Sequence, residues 1–124
     1  MIQRPANPLQ QELERLNRDG QFIAAVLTDG DGLPIAAATP SDNQLADMLA
    51  AIAPLVERLA QRSNERAGFS AAQEVVIDNA DRTRLVCRFF EARRQRMILA
   101  CVVPAPLSFR REMSKTMRAL QKME

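Results

Sequence analysis

The chain contains no histidine, no tryptophan and no tyrosine. Without histidine it lacks the commonest general base near neutral pH and the commonest metal ligand. Without tryptophan and tyrosine it lacks two residue types often used to grip ligands. Its two cysteines, Cys87 and Cys101, do not have the CxxC spacing of metal or redox sites. No apolar run reaches the roughly 18 residues that cross a bilayer, and the opening MIQRPANPLQ has no hydrophobic region of a signal peptide. A charge excess is missing too: 17 basic against 15 acidic residues leave +2, too little to make nucleic acid the expected partner. These absences point away from an enzyme, with no catalytic residue, metal or cofactor expected. They fit a soluble cytoplasmic protein with reduced thiols and no membrane insertion.

What is present is an ordinary folding composition. Of 124 residues, 47% are hydrophobic and 26% charged, enough for one domain around one core. Fifteen of the seventeen basic residues are arginine, which favours bidentate pairing with carboxylates.

Asn7-Pro8 opens a first helix, with Asn7 capping free amides and Pro8 at the first helical position. Leu9, Leu13 and Leu16 form its apolar stripe and Gly20 ends it. The runs Phe22 to Thr28 and Leu33 to Ala38 flank Asp29-Gly30-Asp31-Gly32 and read as a β-hairpin. Pro34 cannot donate to a ladder, so it belongs at a strand start or an edge. Ser41-Asp42-Asn43-Gln44 has the capping-box pattern. The longest helix follows, from about Asp42 to Ala67, roughly 39 Å at 1.5 Å per residue.

Along that helix Leu45, Met48, Leu49, Ile52, Leu55, Val56 and Leu59 cover more than one narrow stripe. An apolar arc so wide implies burial against two surfaces. Pro54 falls inside the helix and predicts a kink. Three strands come next, Gln73 to Asp78, Thr83 to Glu91 and Arg96 to Val103. Pro104 and Pro106 stop the last one, and a helix from about Leu107 to Met123 presents Phe109, Met113, Met117 and Leu120 on one side. The order is α-β-β-α-β-β-β-α.

Several clusters admit two readings. Asp29-Gly30-Asp31-Gly32 lacks the further oxygen ligands and closing Glu of a calcium loop, so a hairpin turn is the better reading. If the last hairpin closes around Arg94 with a three-residue loop, Cys87 faces Cys101 across the strands; they are then two small buried neighbours or a redox pair. Arg93, Arg94 and Arg96 are either a solvated hairpin tip or an anion or partner site. Arg58, Arg62 and Arg66, with Glu57 and Glu65 beside them, are either a solvated helix face or a partner contact. No carboxylates are grouped in a run that would desolvate them, which leaves an acid/base dyad without support.

The hairpin FIAAVLTDGDGLPIAAATP, the Ala-rich helix LADMLAAIAPLVERLAQRS and the late strand ILACVVP before a C-terminal helix resemble the Roadblock/dynein light chain family. The bacterial MglB-type members are the nearest in pattern. The resemblance runs from about Leu9 to Leu120. It implies one Roadblock-like domain over 1–124 with an α+β fold. A five-stranded antiparallel sheet would carry the long helix on one face and two terminal helices on the other. It also implies a homodimer, with long helices side by side and the strand Gln73–Asp78 paired with its copy. The interface residues would be Leu49, Ile52, Val56, Leu59, Val75, Val76 and Ile77. Bacterial relatives bind small Ras-like GTPases and promote GTP hydrolysis without supplying a catalytic residue; others are scaffold subunits.

The function expected on this basis is a homodimeric interaction module that regulates or scaffolds a small Ras-like GTPase, with Arg58 and Arg62 as partner contacts. The rival readings are a structural dimerisation subunit of a larger assembly and a PAS-like small-molecule sensor. The sensor is disfavoured because the apolar runs are small aliphatics with few polar groups to line a pocket.

Overall fold

The computed structural model describes residues 7–40 and 43–123. The first helix, α1 (Pro8–Gly20), begins where the sequence places it: Asn7 Oδ1 accepts from the Leu9 amide at 3.0 Å. Its end differs in one respect. Gln21, not Gly20, takes the left-handed conformation (φ 59°), and the Phe22 amide closes onto the Asn17 carbonyl at 3.0 Å. At Gly20 a Cβ would stand 2.8 Å from the Phe22 ring, so a side chain there would have to displace that ring.

The hairpin β1 (Ala24–Asp29) and β2 (Pro34–Ala38) leads into the long helix α2 (Asn43–Ala67), and β3 (Glu74–Asp78), β4 (Thr83–Ala92), β5 (Gln95–Pro104) and α3 (Arg110–Lys122) complete the chain. All five strands form one antiparallel sheet in the order β2-β1-β5-β4-β3. The predicted cap at Ser41 and Asp42 lies outside the described residues.

Alternation along the strands splits the core into two layers. Ala25, Leu27, Val86, Phe90, Met97, Leu99 and Cys101 meet Leu9, Leu13 and Leu16 of α1 and Met113 and Leu120 of α3. On the other face, Ala24 and Val26 meet Leu49 and Ala50, while Cys87, Phe89, Ile98 and Ala100 meet Ala53 of α2. Ala50 and Ala53 are small, so α2 sits close on the sheet. The expected arrangement, one long helix on one face and two terminal helices on the other, is the one observed.

One expectation changes. The β4–β5 turn contains two residues, Arg93 and Arg94, both at positive φ (54° and 63°), with Ala92 opposite Gln95. The register is one residue off the three-residue loop expected, so Cys87 faces Ala100 and Cys101 faces Val86. A one-residue slip reverses every side chain; the thiols therefore lie on opposite faces of the sheet and are not cross-strand neighbours. Burial pushes the Cys87 thiol up to about 12 and the Cys101 thiol well above its ordinary value. Pro54 falls inside α2, which runs on to Ala67 as the sequence reading has it. Its ring is on the buried side, next to Gly32 of the β1–β2 turn.

That turn is a hairpin. Asp29 Oδ1 accepts from the amides of Asp31 and Leu33 at 2.9 and 3.0 Å, so its carboxylate is spent on the backbone. The α1–α3 layer is tied by Arg15, which reaches Glu12 at 2.6 Å, Asp19 at 3.0 Å and Thr116 at 3.0 Å.

A candidate interaction surface on the long helix and the edge strand

With the sheet taking one side of α2, the rest of the apolar arc has no cover among the described residues. Met48, Ile52, Leu55 and Leu59 are 58%, 37%, 56% and 68% exposed. They recur at helical spacing and continue along the same side into Arg62 and Arg66, both exposed. The helix thus presents three apolar turns followed by a basic one.

The expected interface residues divide on this surface. Ile52 and Leu59 stand on the open stripe. Leu49 does not: at 6% exposure it is consumed by the protomer's own core, against Ala24 and Val26. Val56 is half-buried and packs inward on the cluster around Cys87 and Phe89. Met48 and Leu55 belong to the stripe; they lie in the apolar arc of the sequence, which alone does not say which side meets the sheet. Arg58 and Arg62 are exposed and border a shallow depression of about 580 Å³ with Glu57, Leu59, Gln61 and Glu65. Glu57 pairs with Arg96 from the β5 end of the last hairpin.

Beside α2 the sheet ends at β3, which among the described residues has β4 as its one strand neighbour. Val75 packs beneath α2, while Val76 and Ile77 are 37% and 40% exposed. Its outer backbone groups have no strand beside them among the described residues.

The link from α2 to β3 is pinned by side chains. Gln61 donates from Nε2 to the Ala72 carbonyl at 2.8 Å and accepts from the Ala72 amide at 2.7 Å, standing in for a strand neighbour. Asn64 donates to the Ser70 carbonyl at 2.9 Å. Gly68, at φ 78°, turns the chain out of the helix and leaves Phe69 69% exposed at the same end. Sequence reasoning passed over Phe69, because a lone aromatic after a helix-ending glycine carries no periodicity.

A further hollow, about 660 Å³, lies between α1, β2 and the start of α2, with Glu14 and Arg18 among its lining residues. It is a surface feature flanked by charge, unlike a sensor's enclosed pocket. Among the described residues, no group of three or more His, Cys, Asp or Glu side chains is placed to hold a metal ion, and no helix is long and apolar enough to cross a membrane.

No family model and no curated protein matches the chain. Solved structures do match. Myxococcus xanthus MglB superposes with a TM-score of 0.81 at 17% identity, covering 97% of each chain. A Roadblock/LC7 domain from Streptomyces avermitilis gives 0.79 at 21% identity over 93% of this chain and 96% of that one. The gliding protein MglB from Thermus thermophilus gives 0.74 at 19% identity, over 95% and 92%. At such identities the likeness is one of architecture, and it agrees with the layers and strand order described: the chain has the Roadblock/MglB fold.

Proposed function

We propose that the chain is a cytoplasmic homodimeric interaction module that regulates or scaffolds a small Ras-like GTPase without contributing a catalytic residue. The observation that carries the pairing is the apolar stripe Met48–Ile52–Leu55–Leu59, adjacent to an edge strand of exposed Val76 and Ile77. A contiguous apolar patch beside an open sheet edge is an aggregation hazard unless a partner covers it. A second copy does so with the same residues, joining two sheets through β3 and laying two α2 helices side by side. The GTPase contact is assigned to the paired α2 helices, where Arg58 and Arg62 are exposed and present guanidinium groups to acidic side chains.

The pairing is tested by sedimentation. The wild type is expected as a dimer at micromolar concentration. Leu59→Asp or Val76→Asp is expected to weaken association at least tenfold, since burying one such side chain is worth about 1.5–3 kcal/mol. A monomeric wild type would overturn the pairing. The partner is tested by pull-down with and without a non-hydrolysable GTP analogue. A Ras-like GTPase retained by the wild type but not by the Arg58→Glu/Arg62→Glu double variant is the expected result. Dimers that retain no GTPase would leave a purely structural subunit.

A further inference from the structure

The outward side of α3 carries a charge pattern separate from the α2 surface. Arg111, Lys115, Arg118 and Lys122 are all exposed and follow one another at intervals of four, three and four. At 3.6 residues per turn they fall within an arc of about 60°. Met113, Thr116 and Leu120 occupy the buried side opposite. The result is a basic ridge about 16 Å long, with Arg110 exposed at its start.

Neutralisation along the ridge is slight. Lys115 reaches Glu112 at 3.7 Å, and that carboxylate is shared with Arg15 at 3.5 Å. Among the described residues, Arg111, Arg118 and Lys122 have no carboxylate within 4.0 Å. The ridge also lacks exposed large apolar side chains. Phe109, just before it, is buried, with Arg84 and Arg110 at 5.1 and 4.8 Å from its ring centre.

This chemistry narrows the partner. Stable protein interfaces centre on aromatic or apolar anchors, and single-stranded nucleic acid is held on exposed aromatics; the ridge offers neither. An anionic bilayer surface needs only clustered positive charge at the headgroup plane. We propose that α3 is a peripheral docking element for anionic lipid headgroups. Its guanidinium and ammonium groups meet the headgroup phosphates and carboxylates, and no side chain enters the hydrocarbon. The α2 stripe lies on the opposite face of the sheet, so docking and pairing use different surfaces and fail independently.

Co-sedimentation of the full chain with vesicles tests this. The protein is expected to bind vesicles of phosphatidylcholine with about one-third phosphatidylserine at about 0.05 M salt, and to be released at about 0.5 M. It is expected to leave pure phosphatidylcholine vesicles unbound. Arg118→Glu/Lys122→Glu should bind at least about tenfold more weakly with wild-type helix content by circular dichroism. Should that variant not fold, Arg118→Gln/Lys122→Gln serves, with a severalfold loss expected. Arg58→Glu/Arg62→Glu, on the other face, should bind vesicles like the wild type. Absence of binding to the anionic vesicles at low salt, equal binding to both vesicle types, or no effect of the α3 substitutions would each overturn the proposal. Tighter binding to duplex DNA than to anionic vesicles would overturn it too and reassign the ridge.

Discussion

Gly32 shows how a single residue seats the hairpin on the long helix. Its φ is 89°, a conformation that disfavours a side chain, and a Cβ there would stand 3.2 Å from the Ala50 carbonyl. That carbonyl is the one Pro54 deprives of its helical donor, so turn and proline meet at the same point of α2. Gly32→Ala combines backbone strain with crowding and is expected to cost about 1–2 kcal/mol. The readout is a lower urea midpoint with an unchanged slope; an unaltered midpoint would mean that the turn does not press on the helix. The arginine pair at the other hairpin is the residue-scale counterpart. Arg93 and Arg94 occupy positive φ without the Asn-Gly signature that announces such a turn. For that reason the loop length, and with it the facing of Cys87, was not legible in the sequence.

At the scale of elements, β3 is held by its pairing with β4 and, on the approach to the strand, by a side chain of α2. Gln61 makes both backbone hydrogen bonds of Ala72, 2.7 and 2.8 Å long, two residues before the strand begins. Gln61→Ala leaves a partly buried amide and carbonyl without these bonds, which costs about 1–3 kcal/mol. Faster hydrogen exchange at the Ala72 amide is expected at the same time, and unchanged protection there would count against the staple. The elements themselves were readable: the Asn7 cap of α1, periodicity and turn residues located the helices and strands to within about two or three residues, in line with the usual uncertainty of element ends. The phase of α2 was not readable. Leu49 and Val56 lie in the same apolar arc as Ile52 and Leu59, and only the sheet decides which pair is hidden. The basic ridge of α3 escaped for the opposite reason: charges on a short helix resemble an ordinary solvated face until their neighbours are placed.

At the scale of the whole molecule, the sheet divides α2 into a side that the described residues cover and a side that they leave exposed. The width of the apolar arc announced this in the sequence, because one contact surface needs only one stripe. If a second copy covers the open side, folding and association are a single equilibrium, and apparent stability must depend on concentration. For a dimer of 124-residue chains, unfolding entropies of about 2 cal/mol/K per residue predict a Tm rise of about 2–3 °C per tenfold increase in protein. Leu59→Asp should abolish that dependence while keeping the monomer's secondary structure, since Leu59 contributes little to the protomer's own core at 68% exposure. Scanning calorimetry across two decades of concentration reads both effects. A wild-type Tm that ignores concentration would show the stripe to be tolerated in solvent, and the pairing would have no thermodynamic footing.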